Sequence, residues 1–182
     1  LATLSWFPGD AISPFSLESL AGAFSLDRIS RSSPLHDESH LLHWQREAMR
    51  RRGTARVRQE IAERDPRFEA LGDRIDVLIG DLLDEHPLTG ELEWALAFLV
   101  ERPAGERTEW MPSLASALGK LEPWTEEELN GLLRAFMRER GMRGREFFHP
   151  LRLLLTGRER GAALPLVLLA LGREEAVSRL EG

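Results

Sequence analysis

The stretch from Phe147 to Leu180 decides the fold, and it reads FFHPLRLLLTGRERGAALPLVLLALGREEAVSRL. It contains two apolar segments, Leu151–Leu155 and Leu164–Leu171, which are separated by a basic connector that contains glycine, Gly157–Ala163. Apolar runs of this length around a short polar connector are typical of two buried helices joined by a tight loop. We therefore predict a helix, a loop and a second helix, all packed in one unit.

Proline and glycine residues give the predicted boundaries. Pro150 predicts the start of the first helix, because proline has no N–H to lose there and its φ is already helical. Gly157 predicts the end of that helix, and Gly172 predicts a left-handed C-cap after the second. A last helical turn, Glu174–Leu180, is expected to close over the second helix.

Three arginines mark the predicted loop as a candidate binding site. Arg152 comes just before the loop, and Arg158 and Arg160 lie within it. A planar guanidinium forks onto a phosphate or a base edge, and it also stacks on a base face. The alternative is that all three are ordinary solvated surface arginines.

Three short motifs give this region a family resemblance. Pro150-Leu151-Arg152, Leu155-Thr156-Gly157-Arg158 and Leu169-Ala170-Leu171-Gly172-Arg173-Glu174 resemble the C-terminal end of bacterial glutamyl-tRNA synthetases. The resemblance implies an anticodon-binding domain, in which Arg152 and the loop Arg158–Leu164 contact anticodon bases. The implied anticodon-contact residues are Arg152, Thr156, Gly157, Arg158, Arg160, Gly161 and Leu164.

The N-terminal residues resemble the same family. Trp6-Phe7-Pro8-Gly9-Asp10, Phe15-Ser16-Leu17-Glu18, Phe24-Ser25-Leu26-Asp27-Arg28 and Ser30-Arg31-Ser32 are similar to the region that follows the second signature motif of these synthetases. The resemblance implies that this part of the chain is a remnant of the segment that contacts the acceptor stem.

The remaining pattern predicts an all-α fold made of two packed helical subdomains. Apolar residues recur at helical spacing, and no long stretch alternates with period two. Helices are predicted over 34–52, with Ser33 as N-cap and Gly53 as stop, and over 57–63, 68–83, 92–100, 110–121 and 125–140, the last with Thr125 as N-cap. We predict a stem-contact-like segment over 1–52 and anticodon-binding subdomains over 53–101 and 102–182, with a linker-like turn at Arg102–Gly105.

Composition limits the class of protein. The 182 residues are 42% hydrophobic and 30% charged, and they include no cysteine, so disulfides and thiolate catalysis are excluded. No apolar run approaches the roughly 20 residues that span a bilayer, and we expect a cytoplasmic protein without membrane contact. The chain does not begin with methionine, so we expect a piece of a longer protein, although a separately encoded module is the alternative.

Arginine is concentrated in two windows of this acidic chain, whose formal net charge is −6. Window one, Arg46–Arg58, has six arginines and one glutamate, and window two, Arg134–Arg160, has eight arginines and three glutamates. They are candidate RNA-binding regions, or they are charges that complement helix C-termini. Weaker backbone contacts to RNA are predicted for Arg28, Arg31, Arg50, Arg138, Arg143 and Arg145.

Catalytic motifs are missing from the sequence. It has neither the His-Ile-Gly-His-type nor the Lys-Met-Ser-Lys-Ser-type motif of class I synthetases, and its single lysine is Lys120. We assign no catalytic residue and no cofactor; ATP and glutamate would enter only with a catalytic domain elsewhere in the same polypeptide. His36, His40 and His43 have the spacing of one helical face, but no matching ligand cluster accompanies them, so we predict no metal site.

Two functions remain open from the sequence. The first is a module that recognises the anticodon of glutamate tRNA and supports its aminoacylation. The alternative is a protein-interaction or regulatory module that lacks aminoacylation activity. Three features favour that alternative: the acidic net charge, the histidines at positions 36, 40 and 43 where the family has other residues, and Gly161-Ala162-Ala163 where the family often has a proline.

Overall fold

A computed structural model describes residues 17–29 and 38–182. Ten α-helices and three 3-10 segments account for the regular structure of these residues, and no strand runs through either range. The predicted all-α fold is confirmed. No helix in the two ranges is long and apolar enough to cross a membrane.

The helices follow one another through short connections. They are α1 Leu17–Ala23, α2 Glu38–Arg52, α3 Thr54–Arg64, α4 Asp76–Leu82, α5 Thr89–Leu96, α6 Met111–Gly119, α7 Glu126–Glu139, α8 Gly144–Thr156, α9 Leu164–Leu171 and α10 Arg173–Glu181. The 3-10 segments are Leu26–Arg28, Pro66–Ile75 and Ala97–Leu99.

The chain divides into two compact units, with the boundary between Arg51 and Arg52. The predicted limits at 52/53 and 101/102 stay predictions. Several sequence-based expectations lie outside the described residues: the Trp6–Asp10 and Ser30–Ser32 motifs, the Ser33 N-cap and positions 34–37 of the predicted helix over 34–52.

Several predicted boundaries agree with the structure. The second apolar segment forms α9 over Leu164–Leu171, as predicted. Gly157 ends α8 in the left-handed conformation, with φ 68° and ψ 13°. The Oγ1 atom of Thr125 accepts a 3.4 Å hydrogen bond from the backbone N–H of Glu128, which confirms the predicted N-cap of α7.

Three predicted features are wrong. Helix α8 begins at Gly144 rather than at Pro150, which lies inside it. Its first turn is stabilised by a hydrogen bond of 3.0 Å from the backbone N–H of Arg143 to the Glu146 carboxylate.

The predicted helix over 68–83 is also different in the structure: its first part is a 3-10 segment that kinks at Gly72 (φ 60°, ψ −150°), and α4 begins only after it. Gly172 has φ 79° but ψ 162°, so it is not a left-handed cap and instead joins α9 directly to α10.

An aromatic cluster forms part of the core of the second unit. The rings of Trp110 and Phe147 lie 4.9 Å apart between centroids, and Phe136 lies 5.9 Å from Phe147. Phe147 is fully buried. Because these residues come from the start of α6, from α7 and from α8, the cluster joins three helices, and aromatic pairs at such distances add to the free energy of burial.

A buried arginine ties α10 to α8. Arg179 is 3% exposed, and its Nη1 atom donates to the carbonyl of Leu155 at 2.8 Å. Its Nε atom donates to Glu175 at 2.8 Å, and Glu175 also accepts two hydrogen bonds from Arg102. Arg179 is therefore a structural residue, since its donors are used inside the protein.

The linker-like turn at 102–105 packs closely against α8. A Cβ atom built on Gly105 would lie 2.7 Å from the Cα atom of Leu154, which is closer than real Cβ contacts allow. A Cβ built on Gly157 would lie 3.0 Å from the side chain of Pro103. The turn therefore supports the end of α8 and the first residue of the loop that follows it.

Candidate nucleic-acid interface

The arginine loop, residues 157–163, connects α8 to α9 and is closed by Arg152. The Nη1 atom of Arg152 donates to the carbonyls of Gly161 and Ala162, at 3.2 and 2.7 Å. Ala162, which belongs to the loop, is buried. Burial lowers the pKa of the Arg152 guanidinium from its ordinary value, but arginine stays charged at neutral pH. Arg152 therefore fixes the shape of the loop and adds a cation to its base.

Thr156, the last residue of α8, and Gly157, the first residue of the loop, form the junction between the helix and the loop. The Thr156 side chain is buried; its Oγ1 atom donates to the carbonyl of Arg152 at 2.8 Å and accepts from the N–H of Arg158 at 3.2 Å. The positive φ of Gly157 turns the chain out of α8, a conformation that glycine adopts without steric cost. Both residues therefore set the direction in which the loop leaves the helix.

Arg158 lies across an exposed tryptophan of α5. Its guanidinium carbon is 3.5 Å from the centroid of the Trp94 ring, and its Nη2 atom donates to the Trp94 carbonyl. Burial lowers the pKa of the Arg158 guanidinium as well. A cation over an indole face is a favourable contact, so Arg158 and Trp94 hold each other in place.

A cavity of about 270 Å³ lies between the arginine loop, the end of α4 and α5. Its floor is apolar and its rim is polar, and five of the seven predicted anticodon-contact residues line it: Arg152, Thr156, Arg158, Arg160 and Gly161. The structure therefore brings most of the predicted set together around one concave surface.

The residues of the predicted set differ in how far their side chains are available to a ligand. Gly157 lies just outside the cavity lining, and Leu164 is 3% exposed, so its side chain belongs to the core. Arg160 is exposed and makes no hydrogen bond or ion pair with any residue that the structure describes. Arg160 is therefore the cation of the loop that is most available to a ligand.

The predicted backbone-contact arginines of the second unit lie outside the cavity. Arg138, Arg143 and Arg145 belong to the end of α7, the connection and the start of α8, and none of them lines the cavity. All three are exposed. Arg28 and Arg50 are also exposed, whereas Arg31 lies outside the described residues.

Window one differs in that several of its arginines pair with carboxylates. Arg52 and Arg56 both contact Glu60, at 3.1 and 3.3 Å. Arg58 contacts Asp76 at 2.8 Å. Two carboxylates therefore offset two of these three positive charges, which reduces the contribution of the arginines to an anion-binding surface.

Sequence reasoning missed Trp94 and His86. Trp94 is 63% exposed, and the His86 ring lies edge-on to it with 6.3 Å between centroids. The available signal was position: Leu92, Ala95 and Leu96 form the buried face of α5, which leaves Trp94 on the outer face.

Of His36, His40 and His43, only the side chain of His43 is described by the structure. His36 and the side chain of His40 lie outside the described residues, while His43 contacts Trp44 edge-on at 5.4 Å. Among the side chains that the structure does place, no three potential ligands come together.

Comparison with protein families gives one match that covers most of the chain. Residues 42–182 match the family described as "Anticodon binding domain". Among curated proteins, the whole chain aligns with glutamate–tRNA ligase 1 of Rubrobacter xylanophilus at 32% identity over 194 residues, and with the glutamate–tRNA ligase of Chromobacterium violaceum at 27% over 196 residues. The alignments cover 45% and 42% of those two proteins. The chain thus spans less than half the length of the curated relatives it matches.

Solved structures show the same fold. A glutamate–tRNA ligase of Elizabethkingia meningosepticum, in complex with its amino acid, matches 99% of this chain with a TM-score of 0.76 and 16% identity. The synthetase of Elizabethkingia anophelis matches the same share with a TM-score of 0.77 and 17% identity. The matched region is 38% of each of those chains.

Proposed function

The chain belongs to the anticodon-binding domain family, and from that membership we propose that it binds the anticodon arm of glutamate tRNA. The resemblance to glutamyl-tRNA synthetases inferred from the sequence motifs is confirmed by curated relatives that align with the entire chain. The relatives reported above are all glutamate–tRNA ligases, and none of them favours the alternative of a protein-interaction module.

The observation that carries the proposal is the arginine loop at the rim of a concave surface. Arg152, Arg158 and Arg160 line the same cavity, and none of the three forms an ion pair among the residues that the structure describes. A cluster of cations without carboxylate partners attracts a polyanion. Unstacked bases of a tRNA loop then offer faces and edges to the guanidinium groups.

The parent protein would attach glutamate to its tRNA through a catalytic domain outside this chain. The relatives support that setting, because this chain aligns with less than half of each ligase. In that setting the module positions the tRNA and raises the specificity of the reaction without taking part in the chemistry. Such a role implies a location in the cytoplasm, where ATP and glutamate are supplied to the catalytic domain.

The test is binding to two RNAs that differ only at the anticodon. Glutamate tRNA and the same tRNA with its anticodon bases replaced would be titrated with the full chain at several salt concentrations. We expect micromolar or tighter binding to the first RNA, and binding at least about tenfold weaker to the second, since one stacked base alone contributes roughly 1–3 kcal/mol. Equal affinity for both RNAs, or no binding at low salt, would contradict the proposal.

A further inference from the structure

Trp94 is more exposed than its residue type normally is. Its relative exposure of 63% is the highest of any large apolar side chain that the structure describes over residues 38–182, whereas tryptophan is highly buried on average. The residue stands on the outer face of α5, whose opposite face buries Leu92 and Leu96. Its indole therefore contributes little to the core and is available for contact from outside.

The indole is nevertheless held in one orientation. Arg158 covers the ring at 3.5 Å and is itself anchored by its hydrogen bond to the Trp94 carbonyl. His86 contacts the ring edge-on. A large aromatic side chain that is fixed before a ligand arrives loses little conformational entropy on binding.

The cavity beside this indole has the size and polarity for one planar group. Its volume of about 270 Å³ lies just below the range of about 300–1,000 Å³ that is typical of small-molecule sites. Its apolar lining comes from Leu82, Ala95, Phe98 and Val167, while its rim carries three arginines and one carboxylate, that of Glu85. An apolar floor beneath a net positive rim suits a flat, partly apolar group attached to a polyanion.

We propose that Trp94, with Arg158 stacked on it, is a platform on which one unstacked base of the bound RNA stacks at the mouth of this cavity. The inference rests on the proposed function and deepens it, because it names the residues that take the base. Arginine planes and aromatic rings both serve as stacking partners for splayed-out bases, and the stacked pair presents both.

The experiment combines protein variants with RNA hairpins that lack single bases. The hairpin is the anticodon stem-loop of glutamate tRNA, and a set of derivatives each has one loop base removed to leave an abasic site. Affinities of the full chain, Trp94→Ala and Trp94→Phe would be measured by fluorescence anisotropy of labelled RNA. Val77→Ala is the matched control, because Val77 is also an exposed apolar residue on a helix but does not line the cavity.

We expect Trp94→Ala to weaken binding of the intact hairpin about five- to a hundredfold, the effect of removing one stacking aromatic. Trp94→Phe should retain most of the affinity, and Val77→Ala should bind like the parent chain. On one of the abasic hairpins, the effect of Trp94→Ala should shrink to less than about twofold, because the base that it stacks is already missing. Circular dichroism and melting temperatures would confirm that each variant is folded.

Two results would overturn the inference while leaving the proposed function intact. In the first, Trp94→Ala binds the intact hairpin as tightly as the parent chain does. In the second, it loses the same factor on every hairpin, which would show a general structural effect. Failure of the parent chain to bind any hairpin would contradict the proposed function itself, and the inference with it.

Discussion

Windows one and two have the same net charge, +5 each in the sequence, but the structure uses their arginines differently. In window one, Arg52, Arg56 and Arg58 form ion pairs with carboxylates. In window two, Arg152 donates to backbone carbonyls and Arg158 lies on an indole. Carbonyl groups and aromatic rings hold a guanidinium in place without cancelling its charge. Carboxylates also hold it in place, but they cancel its charge.

The difference shows why a count of arginines does not locate an anion-binding site. What decides the outcome is the chemical nature of the groups that position each cation. A guanidinium positioned by neutral partners stays attractive to phosphate, and a preorganised cation costs less entropy when the ligand binds. The comparison therefore predicts that changes to window two will affect RNA binding and that matched changes to window one will not.

The largest effect is expected for Arg152→Ala. The substitution removes two hydrogen bonds from a charged donor to the loop carbonyls, and such bonds contribute about 1.5–3 kcal/mol each. The loop should open and RNA affinity should fall by about ten- to a hundredfold, as measured by anisotropy. Arg58→Ala, which breaks an ion pair in window one, is the control and should leave RNA affinity unchanged. RNA affinity of Arg152→Ala equal to that of the parent chain would contradict the predicted difference between the two windows.

A smaller loss of stability is expected for Gly105→Ala. The added methyl group would meet the backbone of Leu154 at 2.7 Å, and overpacking of this kind typically costs about 1–3 kcal/mol. Because Gly105 packs on the end of α8, the change should also weaken RNA binding through the loop. Urea denaturation would measure the free energy of unfolding.

Gly131→Ala is the matched control for that change. Gly131 lies inside α7 with open space around it, so alanine there should stabilise the helix by about 0.5–1 kcal/mol. Equal stability of the two variants would contradict the close contact between the 102–105 turn and α8.

Glu175 lies outside both windows and provides a pH-dependent test of a carboxylate that does pair with arginines, namely Arg102 and Arg179. Its pKa lies below the ordinary value of 4.5, first because Arg102 donates hydrogen bonds to it and also because Arg179 does. A carboxyl whose pKa is lower in the folded state contributes stability above its unfolded pKa, and this contribution disappears as the pH falls below about 4.5. Glu175→Gln should therefore lower stability at pH 7 by about 1–2 kcal/mol and flatten the acid dependence of unfolding.

Glu174→Gln serves as the neighbouring control, because Glu174 is exposed and forms no ion pair with any described residue. Its acid unfolding curve should match that of the parent chain. If Glu175→Gln also left the curve unchanged, the ion pairs around α10 would not contribute to stability.

The smallest effect is expected for Arg56→Gln in window one. Its pair with Glu60 is exposed and follows helical i,i+4 spacing, and exposed pairs contribute about 0.2–1 kcal/mol. Thermal unfolding should shift slightly, and RNA affinity should not change. A loss of affinity comparable to that of a loop arginine would show that window one also contacts RNA.

Much of the fold was predictable because it depends on local signals. The leucine-rich segment of α9, bounded by Ala163 and Gly172, and the Thr125 cap of α7 were both predicted from short patterns. The start of α8 was not predicted correctly, because proline is favoured in the first turn of a helix. Here Pro150 is accommodated inside the helix, and the hydrogen bond between Arg143 and Glu146 stabilises an earlier start. The kink at Gly72 was missed because the apolar spacing continues across it.

The candidate site was predictable only in part. Arg152, Arg158 and Arg160 stood out through their motif, and the structure places all three around one cavity. Trp94 could not be recognised as part of the site, because it is 64 residues away from Arg158 along the chain and contacts the loop only through tertiary packing. No local pattern says that an outer-face tryptophan of one helix will lie beneath an arginine of a distant loop.

The most direct test of the account compares two double variants that lower the net charge equally. Arg158→Gln with Arg160→Gln changes window two, and Arg52→Gln with Arg56→Gln changes window one. Binding to glutamate tRNA would be measured across a salt series for both. The account predicts that the first pair loses at least about tenfold in affinity and that its salt dependence becomes shallower by about one to two released ions, while the second pair binds like the parent chain. Equal losses in the two double variants would contradict it, because net charge alone would then explain the binding.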